Sequence, residues 1–537
     1  MFGLKKEGKI ESVGGGFISG VFILSLSTLI VKIIGLAFKI PMLSLLGMEG
    51  MGYFNSAYEI YALLCVVSTA GLPVALSILV SSSRATNDSA RIVKIYRAAM
   101  RIFFVLGLLG TVLMLVFAKP ISEWIGNDDA FWCIISIAPA LFFICLASAV
   151  RGYCQGFEDM KPTAISQLIE ALSKLGLGIL FALIGIRKGL SVPKISALAV
   201  LGITVGTAFS LSYLLIARKR HKICSVSGDG VDDKGHYKQL LRIAVPITLG
   251  SAVISLTRIL DMAFIMRRLQ DIGVSQFRSN EIYGAYTTLA LPVFSLIPSL
   301  ITPISMALIP ELTGFIKKKN AVGQSETVEK ALRLTSLLSM PASIAVTVFA
   351  RPILSILFQG QNEAVEIAAP LLSLLGGSVF FSCIITTTNA ILQAYGCVGM
   401  PIFSMSVGVA VKAFSSYFLL GTRGIAEYGA PLGSLACNFT VVLLNFALML
   451  RYAKNTENAI SVSKCFLKPF IASVVSIGAA YAAYAYISSN LLSEIASFAI
   501  AVTVAIPIYC LLVFLLGALS RDDIRMIPIV KNIIKEK

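Results

Sequence analysis

Lys32 and Lys39 stand seven residues apart, two helical turns along nearly one face, inside an apolar run that would otherwise cross a membrane uncharged. The pattern returns later in the chain. Lys32-Ile-Ile-Gly35-Leu-Ala-Phe38 matches Arg258-Ile-Leu-Asp261-Met-Ala-Phe264 basic for basic and apolar for apolar, with Gly35 exchanged for Asp261. A cation at bilayer depth costs on the order of 2.5–3.5 kcal/mol even on lenient insertion scales, so it is kept for a pathway or a partner. Lys32 and Arg258, matched across a repeat, are expected to line a charged cavity between two halves and bind an anionic group. The competing reading pairs each of them locally, Arg258 with Asp261 and Lys32 with Glu59. Lys39 lies nearer the outer end and either joins the cavity or snorkels to the headgroups.

Lys174 and Lys412 complete the set of bases at depth, and Glu59, Glu170 and Asp261 are the acids, so base is in excess. Glu170 and Lys174 are four residues apart and are expected to pair on one helix face. Lys412 has Gly408 where the first half has Glu170; it either faces the cavity or pairs elsewhere. Asp261 and Glu59 are the candidates for coupling to a proton or a sodium ion. The tyrosines around Glu59, at 53, 58 and 61, either stack on sugar rings or pack.

No cofactor or metal centre is expected. Both histidines, His221 and His236, fall in one polar loop, and the ten cysteines are scattered without a CxxC pair. There is no Walker-type phosphate loop, no HExxH and no histidine-partnered nucleophile, so catalysis and ATP-driven pumping are not expected.

The elements that must position these charges are membrane helices. With 57% hydrophobic and 14% charged residues, apolar runs of about twenty residues recur along the whole chain, each long enough for the hydrocarbon core. The fold class is an all-α polytopic membrane protein with fourteen spans, near 17–45, 54–80, 99–118, 130–150, 162–185, 194–217, 241–266, 283–315, 332–350, 365–392, 401–421, 430–450, 467–487 and 494–518. The first run has no small-residue cleavage site and is not a removable signal. Most of the 45 lysines and arginines fall in the loops on the side of the N-terminus, so both termini are assigned to the cytoplasm of a plasma-membrane protein. The net charge of +17 therefore reports topology, and nucleic acid is not an expected partner.

The first six spans repeat in the next six. Ala57-Tyr58 finds Ala285-Tyr286, Pro73 finds Pro303, and Gln155, Pro162 and Lys174 find Gln393, Pro401 and Lys412. Six spans return the chain to the same side, so the two bundles are expected to be parallel repeats. The organisation is a cytoplasmic N-terminus (1–16), an N-lobe (17–217), a polar cytoplasmic linker (218–240), a C-lobe (241–453), two added helices (454–518) and a cytoplasmic tail (519–537). Within that tail, Ile524–Lys535 reads as a short amphipathic surface helix.

Several motifs carry a family resemblance: Lys32-Ile-Ile-Gly35, Gly47-Met-Glu-Gly50-Met-Gly52 and Gly71-Leu-Pro73. The most specific are Arg151-Gly152-Tyr-Cys-Gln155-Gly156 and Met160-Lys-Pro162-Thr-Ala-Ile-Ser-Gln167-Leu-Ile-Glu170. With these, the chain resembles the multidrug/oligosaccharidyl-lipid/polysaccharide (MOP) exporter superfamily, in the branch of stage V sporulation protein B and the lipid II flippases. The resemblance implies a V-shaped molecule of two six-helix lobes working by alternating access. It implies an undecaprenyl-diphosphate-linked cell-wall precursor as substrate, with membrane lipids around it and wall-synthesis enzymes as candidate partners. The diphosphate would be held by Lys32 and Arg258 with help from Lys39. The eighth span, Tyr283–Glu311, carries no basic residue, so no contact is transferred there. The rivals are a cation-coupled multidrug exporter, a membrane glycosyltransferase or ligase, and a non-transporting scaffold of wall assembly.

Overall fold

A computed structural model describes residues 13–86, 88–219, 233–397, 399–452, 461–490 and 494–518. His221, most of the 218–240 linker and the amphipathic segment Ile524–Lys535 lie outside the described residues. The described chain is helical throughout, with short turns.

The helices start and stop where local chemistry says they should. Asp88 caps the third helix by accepting from the Arg91 N–H, Ser275 does the same for Arg278, and Asn320 for Gly323. Helix α1 runs Val13–Thr69 with Pro41 inside it and a break at Gly47, whose φ of 69° suits a residue without a Cβ. Gly71-Leu72-Pro73 then separates α1 from α2 (Leu72–Ala85). There follow α3 (Ser89–Val116), the short α4 (Ala118–Ile125), α5 (Phe131–Gly156), α6 (Lys161–Arg187), α7 (Val192–Arg218) and α8 (Asp233–Asp271). After α9 (Gln276–Ala285) a π turn at Tyr286–Ala290 leads into α10 (Leu291–Lys317), then α11 (Ala321–Val348) and the short α12 (Ala350–Leu357). The chain continues through α13 (Asn362–Ala394), α14 (Gly399–Leu420), α15 (Gly429–Tyr452), α16 (Lys468–Asn490) and α17 (Glu494–Leu515).

Thirteen helical stretches among the described residues are long and apolar enough to cross a membrane, against the fourteen expected. The difference lies at the start. The stretch Ile30–Arg84 takes in the second expected span and most of the first. Its 55 residues are about 80 Å of helix at 1.5 Å per residue, against a core of about 30 Å. The segment 267–282, between the seventh and eighth expected spans, is largely helical, with α8 and α9 meeting at a tight turn where Gly273 has φ 95°.

The chain divides into two compact units, Met1–Ile259 and Leu260–Lys537, the division falling inside α8. Each unit builds on one buried helix. In the first, α5 is buried nearly end to end and packs on α2, α3 and α7; in the second, α13 is buried likewise and packs on α10, α11 and α15. The close pairing of α6 with α7 recurs as α14 with α15. Even the short helices correspond: α4 opens Ala118-Lys119-Pro120-Ile121 and α12 opens Ala350-Arg351-Pro352-Ile353. In the second unit α16 and α17 pair with each other and pack their Ala472, Ile477, Ala480, Ala501 and Val513 against α11 and α12.

The Gly152-x-x-x-Gly156 spacing is explained by packing. Two small residues on one face let α5 lie directly on α2. A Cβ at Gly152 would fall 2.6 Å from the Pro73 carbonyl oxygen, and one at Gly156 2.6 Å from the Val80 Cβ. Because the obstacle at 152 is backbone, Gly152→Val is expected to destabilise the first unit by about 1–3 kcal/mol, read as a lower melting temperature of the purified protein. An unchanged melting temperature would mean that this contact is not made.

Candidate functional site

In the first unit α1, α5, α6, α7 and α8 bring the charged residues together. Arg258 on α8 reaches Glu59 on α1, Nη1 to Oε2 at 3.8 Å. The Glu59 side chain is largely covered, whereas Arg258 is 54% exposed. Lys32 is exposed and within electrostatic range of Arg258. Lys39, half-buried, is within range of Lys174, Glu59 and Arg258. Arg258 thus meets Glu59 and not Asp261, the partner expected on its own helix.

Lys174 on α6 is in contact with rings, while Glu170 lies within electrostatic range without a contact ion pair. Its Nζ lies 4.9 Å from the centroid of Phe38, 5.7 Å from Phe54 and 4.7 Å from Tyr58, a cation–π cage on α1. This corrects the expected Glu170–Lys174 pair. Glu170 instead accepts from Arg151 Nη2 at 2.9 Å, and the same guanidinium donates to Ser166 (3.0 Å) and Ser210 (3.0 Å). The fork of arginine serves three partners on α6 and α7 at once, which an ammonium four residues from Glu170 cannot match. Of the tyrosines near Glu59, Tyr53 and Tyr61 are buried and Tyr58 closes the cage.

The remaining motif residues are structural in position. Gly152 and Gly156 face α2, Gln155 Nε2 donates to Thr163 at 3.4 Å, and Pro162 is buried in the first turn of α6. Gln167 sits on α6 with its Oε1 buried and without a hydrogen-bond partner among the described residues.

The second unit arranges the equivalent positions differently. Lys412 on α14 donates to Asp261 on α8, Nζ to Oδ2 at 2.7 Å, with side-chain exposures of 8% and 6%. Tyr286, the counterpart of Tyr58, donates to the same oxygen at 3.4 Å. At the position equivalent to Arg151 the second unit has Asn389, whose Oδ1 accepts from Asn445 Nδ2 at 2.9 Å. The exchange of Gly35 for Asp261 thus decides how each repeat-related lysine is satisfied. Phe38 and Phe54 were not singled out from sequence; the Tyr58/Tyr286 match was the signal that could have found the cage.

Among the described residues no group of three or more His, Cys, Asp and Glu is placed to hold a metal ion, and His236 lies on α8.

Long apolar helices that carry charged residues define a polytopic helical membrane protein, and the family matches make it a transporter of the MOP superfamily. The chain belongs to the polysaccharide biosynthesis protein family, whose model matches residues 17–315; a MatE model matches residues 246–418. It is 26% identical over 531 residues to stage V sporulation protein B of Bacillus subtilis (strain 168), covering 96% of this chain and 99% of that protein. It is 23% identical over 453 residues to the lipid II flippase MurJ of the same organism, covering 81% and 82%. Among solved structures, the lipid II flippase MurJ in an inward closed conformation aligns with a TM-score of 0.70 at 16% identity, covering 91% of this chain and 98% of that one. An inward-facing multidrug resistance MATE family transporter aligns with a TM-score of 0.61 at 15% identity, covering 80% of this chain and 100% of that one. Both likenesses concern the fold.

Proposed function

We propose that this protein is a flippase that moves an undecaprenyl-diphosphate-linked wall precursor, lipid II or a related lipid-linked oligosaccharide, from the inner to the outer leaflet by alternating access. The observation that carries this reading is the excess of base in the first unit. Lys32, Lys39, Lys174 and Arg258 stand in one electrostatic neighbourhood with Glu59, while Glu170 is engaged by Arg151. An open helix face with charges of this kind is poorly suited to lipid hydrocarbon and suits a water-lined path for an anion. A diphosphate supplies two or more negative charges in one compact group, the complement of Lys32 and Arg258 with Lys39 beside them. The relative named a lipid II flippase supports the same class of cargo.

The cargo's apolar tail stays in the bilayer while the charged head crosses. Moving net charge through the membrane potential is worth about 2.3 kcal/mol per elementary charge per 100 mV, enough to bias the cycle. Both termini lie in the cytoplasm, and wall-synthesis enzymes that make or consume the precursor are its partners. The MatE match keeps a multidrug exporter as the second reading, but cationic drugs call for excess acid, the opposite of this charge set.

The test is leaflet accessibility of lipid II in cells depleted of their own flippase. This chain is expected to restore outward lipid II. A chain that is expressed and inserted yet restores none would sink lipid II as the cargo.

A further inference from the structure

The second unit contains a carboxylate of the kind that could hold a coupling ion, and the geometry around it speaks against that use. Asp261 is 4% exposed, Lys412 is 6% exposed, and Lys412 Nζ sits 2.7 Å from Asp261 Oδ2. The phenol of Tyr286 donates to the same oxygen, from the first residue of a π turn, a local distortion that proteins retain at functional positions. We propose that the Lys412 ammonium is the resident cation of Asp261, so that this acid takes no sodium ion.

Three features carry the inference. First, an inbound sodium ion would compete with an ammonium fixed to the same bundle, whose effective concentration is that of an intramolecular ligand. Displacing it would leave the lysine buried without its counter-charge, which is strongly unfavourable. Second, the groups against Asp261 Oδ2 are an ammonium and one phenol hydroxyl, whereas a hard cation asks for several oxygens. Third, the repeat supplies an internal comparison. Lys174 occupies the position equivalent to Lys412, the first unit has Gly35 in place of the acid, and there the ammonium is satisfied by an aromatic cage. In the first unit the lysine makes no contact ion pair, although Glu170 lies within electrostatic range; where Asp261 is present, lysine and acid are in direct contact.

The consequence is that sodium dependence, if the chain is challenged for it, does not arise at Asp261. The test reads stability and ion binding of the purified full-length protein, so its outcome is independent of which cargo is moved. Melting temperatures are compared in sodium chloride and choline chloride of equal ionic strength, for wild type, Lys412→Met, Asp261→Asn and the double variant. The wild type is expected to melt at the same temperature in both salts, since a ligand that binds only the folded state would raise it. Each single variant is expected to melt several degrees lower, and the double to recover most of that loss, the non-additivity of a direct pair. Should a single variant fail to fold, the wild-type salt response and the double variant still decide. A sodium-specific rise in the wild type that Asp261→Asn removes would overturn the proposal, and so would a double variant no more stable than additivity of the singles.

Discussion

Lys32→Gln and Arg258→Gln are each expected to cut outward transport of lipid II roughly ten- to a hundredfold at matched expression. A hydrogen bond to a charged group contributes about 1.5–3 kcal/mol, and about 1.4 kcal/mol is a factor of ten. Arg258 carries a second effect. Its loss leaves the largely covered Glu59 carboxylate without the guanidinium 3.8 Å away, placing negative charge where the diphosphate should rest. Arg258→Gln is therefore expected to be the more damaging of the two, and Arg258→Gln with Glu59→Gln to recover part of the loss. Lys32→Arg is expected to retain transport, because the position needs a positive charge on an exposed face. Lys119→Gln serves as the control: that side chain is 77% exposed on the short α4, and no change is expected. If both neutral variants transport like wild type, these cations are structural and the proposed diphosphate site is lost.

Arg151→Asn is expected to destabilise the first unit by about 3 kcal/mol, the scale for breaking a covered ion pair by removing one partner. The guanidinium joins Ser166, Glu170 and Ser210, so its removal costs three hydrogen bonds and strands a carboxylate. The second unit suggests a partial rescue. There the position equivalent to Arg151 is Asn389 and the one equivalent to Glu170 is Gly408, so charge is absent from both together. Arg151→Asn combined with Glu170→Gly copies that solution, and its melting temperature is expected to lie above that of Arg151→Asn alone, despite the glycine in a helix. Equal melting temperatures would mean that the stranded carboxylate is not the source of the loss.

Both experiments address the first unit. The repeats share a helix order and a buried central helix, but they dispose of charge differently. The first unit ties Glu170 to Arg151 and sets Lys174 among rings, with Lys39 within range of both Glu59 and the bases Lys174 and Arg258. The second neutralises Lys412 with Asp261 and replaces the arginine node with asparagines. On the proposed function, the anion is drawn to the first unit, whose bases are in excess.

Sequence alone determined the class and the order of elements. Hydropathy runs of membrane length and the matched motifs of the two halves are local or linear signals, and they recur in the long apolar helices and the repeated helix pairings observed. It also located the charged residues worth attention, because a charge inside an apolar run is conspicuous without coordinates. Partner choice was decided by tertiary structure. Spacing placed Glu170 beside Lys174, yet Arg151, nineteen residues before Glu170, reaches it with better geometry and two serines besides. Likewise Asp261 found Lys412, 151 residues away, rather than Arg258 on its own helix. The physical reason is that helix periodicity limits which neighbours a side chain can meet on its own helix, whereas burial requires that a charge be satisfied by whichever group packing brings closest.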